Sequence, residues 1–208
     1  MKPTTHQFKA YQAAYDYFNR KLFGGKLKPC LLSFRDRCKH WAGLFWANKW
    51  IDADGWTTHE IALNPDVLRR PMRDSMATLV HEMCHQWQHD FGIPPRRAYH
   101  DKEWAACMVG VGLMPSDTGA PGGKTTGQNM THFIIEGGPF DRAFRAAPKT
   151  VTLPWRAIAN IEKEKEKKES KKKTKYTCPE CEANVWGKPD MSLVCGDCDA
   201  EFEVEGEK

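Results

Sequence analysis

The sequence lacks any long apolar segment. Its longest apolar run, Trp104–Met114, has 11 residues and includes two glycines, whereas a helix that crosses a bilayer needs roughly 18 or more. The first ten residues also lack the apolar stretch that an export signal carries. The sequence therefore predicts no membrane-spanning helix and no contact with a membrane, and it favours a cytoplasmic protein.

The chain as a whole has little excess charge of either sign, but its basic and acidic residues are unevenly distributed. The 208 residues include 31 Lys/Arg and 27 Asp/Glu. Residues 1–159 carry 21 basic and 14 acidic side chains (+7), residues 160–175 carry eight Lys and four Glu (+4), and residues 176–208 carry two Lys and nine acids (−7). This partition predicts a basic main domain, a Lys/Glu-rich linker and a small acidic domain.

Apolar periodicity and turn residues predict an α+β main domain, with a small antiparallel or mixed sheet packed on helices. Asp-Gly at positions 54–55 marks a hairpin turn between two strands. The expected elements are helices over 5–23, 71–90, 101–111 and 139–147, strands over 31–34, 41–50, 57–63 and 131–135, and a loop over 115–130.

The strongest chemical signal in the main domain is His81-Glu82-Met83-Cys84-His85, an H-E-x-x-H motif in a helical context. Four residues advance a helix by about 6 Å and turn it by about 40°, so both imidazoles face the same way. The two histidines can bind one Zn²⁺, and Glu82 can act as general base on a water molecule at that ion.

A catalytic zinc site usually has a third protein ligand and one open position. An extended H-E-x-x-H motif would place Gly at position 88 and His at position 91, where this chain has Gln88 and Phe91. His100, which opens the next predicted helix, is the better candidate for the third ligand. His89 is interpreted as a solvent-facing or supporting residue. His132 is interpreted as a structural residue in preference to a stabiliser of an oxyanion.

Residues 8–110 resemble the SprT-like (Spartan-type) zinc metalloprotease family. The resemblance implies a zincin-like fold, in which His81, His85 and His100 are the zinc ligands and Glu82 is the catalytic acid/base. It also implies protein substrates on or near DNA, including crosslinked ones, and a nuclear or nucleoid-associated location if the protein is linked to DNA. The matching features are Phe18-Asn19, Leu22-Phe23, Ala42-Gly43, Ile61–Asn64, Leu79–His85 and His100–Trp104, with Asp101 in place of the usual Gly.

Two C-x-x-C pairs, separated by 13 residues, lie in the acidic domain. Their cysteines, which are the candidate metal ligands, are Cys178, Cys181, Cys195 and Cys198. Two such pairs complete a closed tetrahedral site, which indicates a structural zinc ribbon. Metal supplies the folding energy that so short a domain cannot obtain from a core. Two disulfides or a rubredoxin-like iron site are the alternatives. Cys30, Cys38, Cys84 and Cys107 have no paired spacing and are interpreted as buried apolar residues.

These features together predict a zinc metalloendopeptidase with one catalytic and one structural zinc ion. Its partner is a protein substrate, which could pair with an edge strand within Trp41–Trp50. DNA is a further possible partner, through the basic body and the linker. The opposite charges also favour docking of the acidic ribbon on the body. The alternative function is a non-proteolytic zinc-binding adaptor for nucleic acid or a transcription complex.

Overall fold

The computed structural model describes residues 1–35, 41–96, 99–157 and 173–204. The chain forms two compact units, Met1–Ile158 and Ala159–Lys208. Cys38 and most of the sequence-predicted linker lie outside the described residues. In the part that is described, no helix has both the length and the apolar character needed to cross a membrane.

Helices and strands are mixed in the first unit, which confirms the α+β expectation. The zincin-like part of that expectation stays a prediction. The helices are α1 (Pro3–Leu22), α2 (Met72–Phe91), α3 (Lys102–Val111) and α4 (Pro139–Arg145), and 3-10 turns lie at Pro65–Arg69 and Lys149–Val151. The strands are β1 (Leu31–Phe34), β2 (Gly43–Ile51), β3 (Thr57–Leu63), β4 (Leu113–Ser116) and β5 (Thr131–Ile134).

The main sheet has the order β1-β3-β2, with β3 at its centre. β1 pairs with β3 in parallel, and β2 pairs with β3 in antiparallel fashion through the turn that the Asp-Gly signal predicts. A bulge interrupts the β2 pairing between Trp46 and Trp50. Among the described residues, β2 is an edge strand of this sheet, with no strand paired to its outer side.

Helix α2 packs against β2 and β3 and against α1 and α3. Its core residues, which include Met76, Leu79 and Met83, are fully buried. From α1, Tyr11 and Phe18 enter the same core. Each such apolar side chain stabilises the fold by roughly 1.5–3 kcal/mol when it leaves water. The helix that carries the H-E-x-x-H motif is thus rigidly held.

The structure corrects the predicted loop over 115–130 at its start. Pro115 and Ser116 belong to β4, where they pair with His132 and Thr131 of β5. A proline is compatible with this strand because both strands of a two-stranded sheet are edges, where a backbone N–H can be missing without loss of a ladder bond. The predicted helices and the other predicted strands lie within about two residues of the observed ones.

The second unit contains β6 (Thr174–Thr177), β7 (Asn184–Gly187) and β8 (Glu203–Val204), in the order β7-β6-β8. Strand β6 begins two residues inside the segment that the sequence assigns to the linker. The buried apolar residues described in this unit are only Tyr176, Cys178 and Cys195, so its apolar core is very small.

Candidate metal centres and active-site cleft

Three histidines of the first unit converge on one point. One ring nitrogen of each of His81, His85 and His100 lies within 4.8 Å of the corresponding nitrogens of the other two. The ring centroids are 5.2 Å apart for His81 and His85, 5.7 Å for His81 and His100, and 4.8 Å for His85 and His100. This spacing suits three nitrogen ligands around a single ion.

The first two histidines share a face of α2 because they are four residues apart in a helix. His100 reaches them from the start of α3, and Asp101 fixes that start. The Asp101 carboxylate accepts hydrogen bonds from the Trp104 backbone N–H at 2.9 Å and from the Gln88 side chain on α2 at 2.8 Å. Asp101 therefore caps α3 and anchors it to α2, next to the third histidine.

Trp104 forms the floor beneath the three rings and is completely buried. Its indole stacks on His85, with centroids 5.2 Å apart and an interplanar angle of 19°. It meets the His81 ring at 5.0 Å and the His100 ring at 4.4 Å, edge to face. One side chain thus limits the rotation of all three imidazoles.

The environment of the three histidines keeps them neutral. Burial lowers the pKa of His81 well below its ordinary value, lowers the pKa of His85 to about 3, and lowers that of His100. A neutral imidazole has a lone pair for a metal ion, whereas an imidazolium does not. The donor set therefore fits a zinc ion, with His81, His85 and His100 as the groups that would hold it.

Glu82 is buried beside these ligands, with 5% of its surface exposed. Burial raises the pKa of Glu82 to about 8, although a hydrogen bond from the backbone of Phe45 favours the carboxylate and opposes that shift. Strand β2 comes so close that a Cβ built on Gly43 would lie 2.5 Å from Glu82 Oε1. Only a glycine at this position leaves the carboxyl its space.

His132 lies beside the three-histidine group. Its Nδ1 is 3.1 Å from Nδ1 of His81. Burial, with a smaller contribution from the positive charge of Arg70, lowers the pKa of His132 to about 4. His132 is thus a neutral neighbour of a candidate ligand. The sequence, which is interpreted as giving His132 a structural role, does not predict this contact.

A cleft of about 1650 Å³ opens over the candidate site. Its lining includes the amino-terminal part of β2, from Gly43 to Ala47, and the residues of β5. His81, Glu82, His85 and His100 all line the cleft. A polypeptide segment that entered it would contact both the edge strand and the three-histidine group.

Comparison with known proteins gives one result for this region. A model of the SprT-like family matches residues 11–125, which is more than half of the chain. The chain belongs to the SprT-like family. This confirms the resemblance drawn from the sequence, and the family is generally associated with zinc metallopeptidase activity. No curated protein matches the chain. The matched residues of this SprT-like chain include the three histidines and Glu82, whereas the four-cysteine unit lies beyond them.

The four cysteines of the second unit form the other candidate centre, since their sulfur atoms all lie within 4.8 Å of one another. The two C-x-x-C turns have the same hydrogen bonds: Glu182 N–H donates to the Cys178 carbonyl, and Asp199 N–H donates to the Cys195 carbonyl, at 3.0 and 2.9 Å. Glu182 and Asp199 both have positive φ angles, 57° and 52°. This repeated geometry is compatible with a tetrahedral zinc site.

The backbone favours the thiolate form at one of the four sulfurs, that of Cys178. Hydrogen bonds from the backbone of Cys181 and then of Glu180 lower the pKa of Cys178 to about 7. A thiolate is the form of cysteine that binds metal. The alternatives of two disulfides or an iron site use the same four residues.

A third group of potential ligands, His59, His89 and Asp90, is better explained as a hydrogen-bond network. His59 Nδ1 accepts a hydrogen bond from the Asn48 backbone N–H at 2.9 Å, so its hydrogen lies on Nε2 and is donated to Asp90 at 2.9 Å. That ring has no lone pair left for an ion. His89 Nδ1 lies 3.2 Å from the same carboxylate oxygen, so His89 supports the end of α2.

Of the other cysteines that the sequence assigns to the interior, Cys30 and Cys84 are buried and Cys107 is partly buried. Cys84 lies within the H-E-x-x-H motif itself.

Proposed function

We propose that this SprT-like chain is a zinc metalloendopeptidase that hydrolyses peptide bonds in protein substrates. The observation that supports it best is the convergence of His81, His85 and His100 beside the buried Glu82 at the base of an open cleft. Three protein ligands leave one of the four usual zinc positions for water or substrate. The cysteine centre, with four protein ligands, is proposed to be a structural zinc site.

When bound, a zinc ion supplies a Lewis acid that polarises the scissile carbonyl and makes water a stronger acid. Glu82 takes the proton from the attacking water and then donates it to the leaving amine. Its buried position beside the three candidate ligands suits both steps, because one carboxyl there can take the proton and later return it. Gly43 lets β2 lie close to Glu82 without displacing the carboxyl.

An extended substrate is proposed to pair with β2. This strand is at the edge of the sheet and lines the cleft with the residues that precede its bulge. Backbone hydrogen bonds to an edge strand give affinity without demanding a particular sequence. The scissile bond would then lie over the three-histidine group.

DNA-associated or DNA-crosslinked proteins are the proposed substrate class. The first domain carries a net charge of +7, and exposed indoles at Trp46, Trp50 and Trp56 follow the β2–β3 hairpin. Lys49 Nζ lies 3.9 Å from the centre of the Trp46 ring, so a cation and a stacking surface are adjacent. Such a surface suits phosphates and unpaired bases. DNA binding that weakens steeply with salt is the expected behaviour.

Substitution of Glu82 tests the mechanism. Glu82→Gln should retain both zinc ions but lower the rate of cleavage by roughly 10²–10⁴-fold, the usual contribution of a general base. His100→Ala should instead lose zinc from the first unit and keep it in the second. Asp16→Asn, an acid-to-amide change on α1, is the matched control and should cleave like wild type.

Zinc analysis together with a cleavage assay on a DNA-bound protein distinguishes the alternatives. Equal proteolysis by wild type and Glu82→Gln would refute the mechanism. Salt-dependent DNA binding without any Glu82-dependent cleavage would favour the non-proteolytic adaptor.

A further inference from the structure

Two of the three candidate ligands are held by partners from one short segment. His100 Nδ1 lies 3.1 Å from the Gly127 carbonyl, and His81 Nδ1 lies 3.1 Å from His132 Nδ1. Both partners follow residue 125, where the SprT-like match ends. The partners of these two ring nitrogens therefore come from residues outside the matched region.

We propose that His132 is a positioning residue, which holds His81 in the tautomer that can bind a metal ion through Nε2. This inference rests on the proposed function, because it takes His81 to be a zinc ligand. The inference adds His132 to the proposed site as a residue that acts only through its hydrogen bond to His81.

The direction of the hydrogen bond decides whether His81 can bind an ion. Two facing ring nitrogens form a hydrogen bond only when one carries a hydrogen and the other a lone pair. If His81 Nδ1 donates, its Nε2 keeps the lone pair that a metal needs. If His132 donates instead, the hydrogen of neutral His81 lies on Nε2 and blocks that nitrogen. Metal binding and donation from His81 to His132 therefore favour each other.

The same arrangement is visible at His100, where the acceptor leaves no choice. A backbone carbonyl can only accept, so Nδ1 of His100 carries the hydrogen and Nε2 remains for a metal. The backbone N–H of His100 also donates to the Gly127 carbonyl, and the Gly127 N–H donates to the His100 carbonyl. His132 would therefore do for His81 what the Gly127 carbonyl does for His100: accept the hydrogen of Nδ1.

His132 is held firmly enough to fix another ring. Its strand, β5, pairs with β4 through four consecutive residues, and the backbone partner of His132 is Pro115. β4 follows α3 almost directly, and α3 begins next to His100. One continuous stretch of chain therefore carries a ligand at its start and the partner of another ligand at its end.

The test is the zinc affinity of the first unit, measured in the full chain by competition with a chelator. The signal that remains in His100→Ala identifies the zinc of the cysteine centre. His132→Ala should weaken binding at the histidine centre by about 10–100-fold, as loss of such partners usually does. His132→Asn places an acceptor oxygen at the position of Nδ1 and should recover part of the affinity. Thr131→Ala, an exposed change on the same strand, should leave the zinc affinity unchanged.

Nitrogen-15 NMR of the histidine rings gives a second, direct measurement in the zinc-loaded wild type. The expected result is a hydrogen on Nδ1 of His81 and none on Nδ1 of His132. A hydrogen found on Nδ1 of His132 would overturn the inference, and this result does not depend on whether a variant folds.

Other outcomes separate this inference from the proposed function. If His132→Ala lowers cleavage but leaves zinc affinity unchanged, His132 acts on the substrate and the positioning role is wrong. If zinc binding weakens as expected but the wild type cleaves no protein, the inference stands and the proposed activity fails.

Discussion

The two candidate metal centres of this chain are assembled in opposite ways. The four cysteines come from two local turns with matching hydrogen bonds, in a unit whose described residues bury few apolar side chains. The three histidines come from α2 and the start of α3, which a large core holds in place. Local turns can bring ligands together cheaply, whereas separate elements require a folded domain before the ligands meet.

This difference indicates what each metal would contribute. In the cysteine unit, metal binding and folding would be one event, because the only apolar residues buried among residues 173–204 are Tyr176, Cys178 and Cys195. In the histidine unit, the fold exists first and includes groups that oppose stability, such as a buried carboxyl with a raised pKa. Metal at the cysteine centre would stabilise the fold of its unit, whereas the fold of the histidine unit would position the ligands for the metal.

Removal of metal should separate the two units most strongly. A chelator should unfold residues 173–204, because structural zinc supplies about 10–16 kcal/mol in small domains, while the first unit keeps its helices. Amide NMR signals and far-ultraviolet circular dichroism, measured before and after chelation, check both halves of this prediction. Cys178→Ser should have the same effect on the ribbon. Ordered ribbon signals after complete chelation would contradict the comparison.

The pH dependence of stability should show the cost of Glu82 in the metal-free protein. Folding raises the pKa of Glu82 from about 4.3 to about 8. Its favourable contribution to the free energy of unfolding is therefore complete at acid pH and is lost as the pH rises toward 8. Glu82→Gln removes this loss and should be more stable than wild type at pH 8, by a few kcal/mol relative to their difference at pH 4, to order of magnitude.

Urea unfolding of the first unit, under chelation and at both pH values, measures this difference. Groups far from Glu82 titrate equally in the two proteins, so their contributions cancel. Asp16→Asn is the control and should show no comparable trend. A Glu82→Gln effect that is independent of pH would show that the carboxyl is not destabilised by burial.

Gly43→Ala should displace Glu82, the proposed general base, without disturbing the three candidate ligands. The new methyl group would overlap the Glu82 carboxyl, which must move. A displacement of about 1 Å can lower a rate by roughly 10²-fold. Zinc content should stay at the wild-type value. Gly110→Ala is the matched control, since no atom lies within 4 Å of the position of its added Cβ.

Asp101→Ala should have the smallest effect of the four. It removes the cap of α3 and the acceptor for Gln88, which should cost about 1 kcal/mol for the cap and loosen His100. Asp101→Asn keeps an acceptor oxygen and should lose less. Thermal unfolding and zinc titration of both variants measure the effect. Equal stability of Asp101→Ala and wild type would show that α3 does not depend on this anchor.

The sequence predicts the parts of the sites that depend on short spacing. H-E-x-x-H needs only a helix to bring His81 and His85 onto one face, and C-x-x-C needs only a tight turn. The hairpin after β2 and most element boundaries also follow from local signals. His100 could be chosen as the third candidate because it opens the next helix.

The remaining features depend on packing between distant segments. Gly43 enters the sequence argument only as part of a resemblance, and its contact with Glu82 requires knowledge of where β2 lies. Asp101 replaces the usual Gly of the family, and Gln88 replaces the Gly of the extended H-E-x-x-H motif. The two replacements look unrelated in the sequence, yet a hydrogen bond joins these residues in the structure. His132 is predicted on a strand, yet its contact with His81 depends on the pairing of β4 with β5.

Anomalous diffraction at the zinc edge from crystals of the zinc-loaded protein tests the central claim most directly. The account predicts one ion bound by nitrogens of His81, His85 and His100 at about 2.0–2.1 Å, with a non-protein atom as the fourth ligand. A protein atom in that fourth position, or an ion that His100 does not contact, would contradict it.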